Sequence, residues 1–122
     1  MSKPIILAID DVPVVLNAIN SILGKDYEVF CLSKASQVEK FLVNTTPDLF
    51  ILDIEMPVMN GYELVKKIRE HEKHKETPII FLTGNATVKN YQHAVELGVE
   101  DFIAKPVEPC VLLEKIKEKI GA

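Results

Sequence analysis

Five polar residues of this chain stand at the ends of short apolar runs: Asp10 and Asp11 after "IILAI", Asp53 after "LFIL", Thr83 closing "IIFLT" and Lys105 after "FIA". Three carboxylates gathered at one place repel one another unless a cation or a proton relieves them. A donor set made only of oxygen, with room for water, suits magnesium better than zinc. Asp11 and Asp53 could each give such an ion one oxygen, a backbone carbonyl near Glu55 a further one, and waters the rest of an octahedron; Asp10 would hold a water or orient the shell. A carboxylate beside a hard cation can attack phosphorus, and the charge that develops on the phosphoryl oxygens calls for donors besides the metal. Lys105 and the Thr83 hydroxyl are the candidates.

For these residues to meet, the apolar runs must lie side by side and point the same way. Five of them, "PIILAID", "YEVFCL", "DLFILD", "PIIFLT" and "EDFIAK", alternate with longer amphipathic stretches. That rhythm predicts βαβ units around a parallel sheet. Val12, Val15, Leu16, Ile19, Ile22 and Leu23 recur at helical spacing before a stop at Gly24, and Ser33 or Ser36 is placed to cap a second helix running through Leu42. Asn60 with Glu63 reads as a capping box for a third helix carrying Leu64, Val65 and Ile68, which ends in "REHEKHKE". A fourth helix is expected from about Thr87 to Leu97 with Gly98 as its stop, and a fifth after Pro109 with Leu112, Leu113, Ile116 and Ile120 inward. The fold class expected is therefore α/β: a doubly wound, flavodoxin-like five-stranded parallel sheet with five helices. Strand order 2-1-3-4-5 is its common form, with the ligand crevice at the carboxyl ends of strands one and three.

Composition narrows the function. With 122 residues and 48% hydrophobic, the chain can build one real core, and residues 1–122 are expected to form a single domain. A formal charge of −4 without any Lys/Arg-rich block argues against a nucleic-acid surface. Cys31 and Cys110 have no metal-ligand spacing and are expected to be packed thiols rather than a disulfide. No leader-like segment and no apolar run of about 18 residues is present, so a cytoplasmic location without membrane contact is expected.

The whole chain resembles the receiver domain of two-component response regulators, of the chemotaxis-regulator type. The motifs that carry the resemblance are "AIDD", "LDIEMPVMNG", "PIIFLTG" and "EDFIAKP", in that order at the expected strand ends. The resemblance implies that Asp53 accepts a phosphoryl group from a phosphohistidine on a sensor histidine kinase or phosphotransfer protein. Asp10 and Asp11 would serve Mg²⁺, with the Glu55 carbonyl completing its shell, while Thr83 and Lys105 contact the acyl phosphate. It also implies a cis Lys105-Pro106 bond and a switch in which Thr83 moves inward and the aromatic residue of strand five, Phe102, turns from exposed to buried. Glu55 and Asn85 would tune access of the hydrolytic water. The output face would be formed by Tyr91, Val95, Phe102, Val111 and Lys115 on helix four, strand five and helix five. A downstream effector would read that face, with phosphorylation-dependent dimerisation left open, as a stand-alone regulator or as part of a longer protein.

Other readings stand beside this one. Asp53 alone could be a helix cap, Thr83 an ordinary strand end and Lys105 a solvated charge. His71, His74 and His93 are expected in solvent, and Met56 and Met59 are expected to fill the loop over the site. A haloacid dehalogenase-like, magnesium-dependent phosphohydrolase would use similar groups, but wants an aspartate where this chain has Glu55 and has no role for the early acidic pair. A pseudo-receiver that binds partners without phosphorylation is the other alternative.

Overall fold

A computed structural model of the chain describes residues 3–99 and 101–120. Its strands are β1 (Ile5–Ile9), β2 (Glu28–Leu32), β3 (Leu49–Leu52), β4 (Ile79–Thr83) and β5 (Asp101–Ala104). Its helices are α1 (Pro13–Leu23), α2 (Val38–Asn44), α3 (Gly61–Arg69), α4 (Val88–Glu96) and α5 (Pro109–Ile120). All strand pairs are parallel, as the alternating pattern predicts, and the order β2-β1-β3-β4-β5 is the common form expected for such a sheet. Glu100, the predicted start of the fifth strand, lies outside the described residues.

The pleat sends alternate residues of each strand to opposite sides of the sheet, so each central strand feeds two cores. Leu7, Ile9, Phe50, Leu52 and Phe81 pack on one face with Val38, Leu64, Val65, Ile68 and Ala94 from α2, α3 and α4. Ile6, Ala8, Ile51, Ile80 and Leu82 pack on the other with Leu16, Ile19, Leu23, Leu112 and Ile116 from α1 and α5. Burying each of the larger aliphatic and aromatic side chains is worth roughly 1.5–3 kcal/mol, which is why a one-residue slip of β1 or β3 is not tolerated. Leu113 and Ile120, expected inward, are half-buried, and Val12 lies exposed just before α1.

Helix ends differ from expectation where backbone geometry decides them. The Asn60–Glu63 capping box is present in full, and Thr87 caps α4 by accepting from the Asn90 N–H. Neither Ser33 nor Ser36 caps α2. A 3-10 turn over Ala35–Gln37 leads into it, no side chain caps its first turn, and the helix runs on past Leu42 to Asn44. Gly98 takes φ of 82°, the left-handed region where glycine is favoured, whereas Gly24 ends α1 in ordinary right-handed geometry.

The cysteine and histidine expectations need correction. Cys31 and Cys110 are exposed, because β2 is an edge strand and Cys110 lies in the first turn of α5. His74 is buried, 2% exposed, under the α3–β4 connection. Its Nδ1 lies 2.8 Å from Thr77 Oγ1, its ring meets Phe50 edge-on, and Arg69 donates to the carbonyls of His74 and Thr77 at 2.8 and 2.6 Å. His71 is half-buried against Glu39 at 3.1 Å, while His93 is exposed but stacked on Tyr62.

Burial, reinforced by the charges of His71, Lys73 and Arg69, lowers the pKa of His74 below 6.5. A histidine held neutral by the fold contributes stability above its unfolded-state value, and that contribution is lost as pH falls through the lower folded-state value. Denaturant unfolding should therefore give a lower midpoint at pH 5 than at pH 7. The drop should shrink in His74→Gln; an equal drop in both proteins would place the acid sensitivity elsewhere.

Candidate functional site

The sheet register brings the acids together. Ile9 pairs with Leu52 across β1 and β3, so the residues that follow them, Asp10 and Asp53, emerge side by side. The ladder extends one residue further, with Asp53 N donating to Ile9 O at 3.1 Å and Asp10 N donating to Leu32 O at 3.2 Å. Asp10 and Asp53 are buried, Asp11 is exposed, and one carboxylate oxygen from each lies within 4.8 Å of the others. On the far side of β3, Lys105 N donates to Thr83 O at 2.8 Å and the Lys105-Pro106 bond is cis. The Lys105 ammonium reaches back to Asp10 Oδ2 at 2.8 Å and Asp53 Oδ2 at 3.4 Å. Asp10, Asp11, Asp53, Thr83 and Lys105 thus occupy the carboxyl edge of the sheet around β1, β3, β4 and β5.

The electrostatics follow from this crowding. Burial and the neighbouring Asp10 charge raise the Asp53 pKa against the opposing pull of Lys105. Burial alone would push Lys105 down, but its bonds and charge contacts with Asp10 and Asp53 outweigh that and raise it. One ammonium therefore answers three acids incompletely. An all-oxygen, partly exposed cluster with surplus negative charge fits a hard divalent cation, which would restore the balance that Lys105 leaves unfinished.

The loop after Asp53 is held against the site by a close backbone approach. Gly61 N donates to Ile54 O at 2.8 Å, and a Cβ at Gly61 would lie 2.3 Å from the Asp53 carbonyl oxygen. Only glycine leaves room for α3 to start there. Met56 and Met59 pack half-buried against the core, as expected, while the exposed Val58 adopts φ of 70°. A β-branched residue is rare in that region, so the turn after Pro57 carries local strain.

Thr83 is fully buried, and its Oγ1 accepts from Asn85 N at 3.1 Å. The Asn85 side chain donates to Glu55 Oε2 at 3.2 Å, joining the two residues expected to flank the site. Phe102 is half-buried, edge-on to both Phe81 and Tyr91. Tyr91, Val95 and Val111 are exposed on the neighbouring helices, and Lys115 lies 3.5 Å from the buried Asp101. Tyr62 and Asn90 were not among the residues singled out from sequence. The Tyr62 hydroxyl donates to Asn90 Oδ1 at 2.8 Å across a separation of 28 residues, a contact that no local spacing encodes.

Residues 6–117 match the family described as the response regulator receiver domain. The chain belongs to this family. It is similar to the chemotaxis protein CheY1 of Helicobacter pylori, at 40% identity over 83 residues that cover 68% of this chain and 67% of that protein. The chemotaxis protein CheY4 of Vibrio cholerae superposes with a TM-score of 0.92 at 28% identity, covering 98% of this chain and 100% of that one. The receiver domain of the sensor histidine kinase PA1611 from Pseudomonas aeruginosa, whose structure has a magnesium ion coordinated in the active site cleft, superposes at 0.88 with 28% identity. That match covers 99% of this chain and 100% of that one. Two other curated relatives are longer proteins, of which the chain spans 26% and 48%.

Membership as a receiver of two-component systems sets aside the phosphohydrolase alternative, since receivers are phosphoryl acceptors rather than turnover enzymes. Receivers as a family bind Mg²⁺ in the acidic pocket and work with histidine kinases and effectors. Among the described residues no helix is long and apolar enough to cross a membrane.

Proposed function

We propose that residues 1–122 act as one cytoplasmic receiver unit in which Asp53 accepts a phosphoryl group from a phosphohistidine of a sensor histidine kinase or phosphotransfer protein. The observation that carries this reading is Lys105 bridging Asp10 and Asp53 at 2.8 and 3.4 Å at the edge of a three-carboxylate cluster. An ammonium so placed pairs with Asp53 before transfer and can pair with a phosphoryl oxygen afterwards.

In the reaction an Asp53 carboxylate oxygen forms the new P–O bond while the P–N bond to the donor imidazole breaks, its electron pair leaving with the nitrogen. Bound Mg²⁺ would neutralise the charge on the transferring oxygens, and Asp10, Asp11, Asp53 and the Glu55 carbonyl are the groups assigned to hold it. Asp10 holds Lys105 in place through its shorter bond. Burial of Asp53 restricts water at the nucleophile, and Glu55 and Asn85 at the mouth limit how quickly water later removes the phosphoryl group.

The added charge and acceptor oxygens draw the Thr83 hydroxyl away from Asn85, and the space it vacates is taken by Phe102, half-buried between Phe81 and Tyr91. The α4–β5–α5 surface of Tyr91, Val95, Phe102, Val111 and Lys115 changes with it and is read by a downstream effector or a second receiver. A pseudo-receiver would not respond at the acceptor. Beryllofluoride, a phosphoryl mimic, should with Mg²⁺ shift the backbone amide signals of Thr83, Gly84 and Phe102; an unchanged spectrum would favour the pseudo-receiver.

A further inference from the structure

The β4–α4 loop is poorly anchored by packing. Residues 84–89 are exposed without a break, so nothing buried in that segment holds the loop or the first turn of α4 in place. Hydrogen bonds hold it instead: the Asn85 side chain donates to Glu55 Oε2 at 3.2 Å, and a separate chain of bonds runs to α3. Asn85 N donates to Thr83 Oγ1 at 3.1 Å, and Asn90 Nδ2 donates to Asn85 O at 2.8 Å. Tyr62 Oη donates to Asn90 Oδ1 at 2.8 Å and lies 3.3 Å from Asn90 O.

The α3 end of that chain is rigid. Tyr62 follows Gly61, which is pressed against the Asp53 carbonyl, and the Asn60–Glu63 capping box fixes the first turn. The Tyr62 ring is itself clamped, stacked on His93 at 3.9 Å and edge-on to the fully buried Phe81 at 5.6 Å. Burial and the Glu55 charge raise its pKa above the ordinary phenol value of 10, so the hydroxyl remains a donor at neutral pH. The fixed side is thus α3, and the tethered side is the segment that carries the Thr83 partner.

We propose that Tyr62 is a positioning residue which, through Asn90 and Asn85, latches the β4–α4 loop in the arrangement that engages the Thr83 hydroxyl and so opposes the phosphorylated conformation. This rests on Asp53 being the phosphoryl acceptor, with Thr83 turning to the acquired group. For Thr83 to turn, the Asn85 N–H must give up its hydroxyl acceptor and the loop must shift. A loop tied to α3 shifts less readily than one held by solvent-exposed residues alone. The latch makes the acceptor site harder to activate and is specific to a chain with a hydroxyl at 62 and an amide at 90.

Tyr62→Phe keeps the ring on His93 and Phe81 and removes only the donor. Because a net intramolecular hydrogen bond is worth the equivalent of about 2–10-fold in an equilibrium, Mg²⁺–beryllofluoride should bind Tyr62→Phe about 2–10-fold tighter than wild type. Asn90→Ala cuts the next link and should tighten binding by a similar factor. The double variant should match either single one, because both break the same chain. The readout is the titration of the Gly84 and Asn85 amide signals, and a merely structural tyrosine would give unchanged or weaker binding on substitution. Unchanged or weaker binding in Tyr62→Phe, or gains that multiply in the double variant, would overturn the latch. If Tyr62→Phe does not fold, Asn90→Ala carries the same expectation, and no gain there overturns it. Failure of wild type itself to bind the mimic is a separate result: it removes the acceptor reading, and the latch with it.

Discussion

Lys105→Ala should lower the rate of Asp53 phosphorylation from acetyl phosphate by roughly 10²–10³-fold at saturating Mg²⁺, the usual cost of removing one donor aimed at developing charge. The effect is large because Lys105 is the single cation in contact with the acids among the described residues, at 2.8 Å from Asp10 and 3.4 Å from Asp53. Its loss also leaves those buried carboxylates facing one another without an answering charge, so Mg²⁺ should bind the variant more tightly while reacting more slowly. A variant that was simply misfolded would lose both properties. The initial rate read by mass spectrometry and the Mg²⁺ affinity read from amide shifts separate the two cases. Equal rates in wild type and variant would remove Lys105 from the chemistry.

The second large effect concerns stability without metal. Burial and Asp10 raise the Asp53 pKa, so ionising Asp53 costs the fold free energy that Lys105 does not fully return. The sign is fixed by linkage: a carboxylate with a raised folded-state value destabilises as pH rises from its unfolded value of 3.8 through the folded one. At pH 7 without Mg²⁺, Asp53→Asn should therefore be more stable than wild type. Mg²⁺ should reverse the ranking. At one hundred times its dissociation constant it would stabilise wild type by about 2.7 kcal/mol and help the variant, which lacks one ligand charge, much less. Thermal melts with and without Mg²⁺ measure both. A wild-type melt that ignores Mg²⁺, or an asparagine variant that melts lower without it, would contradict the description of the acidic cluster.

These effects trace to features that the sequence displays with different clarity. Asp10, Asp53, Thr83 and Lys105 were legible because a parallel sheet delivers every strand end to one rim, so an acid after "IILAI" and another after "LFIL" must become neighbours once the order is known. The capping box at Asn60 and Glu63 was legible because it is a contact between residues three apart. His74 was misread because its neighbours in sequence are charged, whereas its burial depends on Phe50 and on the Arg69 guanidinium closing the connection over it. The serines before α2 have the right chemistry for caps, yet a 3-10 turn carries the chain into the helix instead. The exposed cysteines reflect the edge position of β2 and the outer first turn of α5, neither of which composition encodes. Tyr62 with Asn90 was invisible for the same reason as His74: the partners meet only through tertiary structure.

The match over residues 6–117 establishes a receiver, while the contacts of Lys105, Thr83 and Asn85 say how this particular chain is poised. The aromatic residue of strand five, Phe102, packs edge-on between Phe81 and Tyr91. On α3, the Tyr62 hydroxyl donates to Asn90 Oδ1.

The most direct test of Asp53 as the acceptor is the intact mass of the protein after incubation with acetyl phosphate and Mg²⁺, wild type beside Asp53→Asn. If Asp53 is the acceptor, wild type gains about 80 Da, one phosphoryl group, a gain that disappears when Mg²⁺ is chelated beforehand and never accumulates on the variant. A wild-type mass that stays unchanged, or an equal gain on Asp53→Asn, would contradict it.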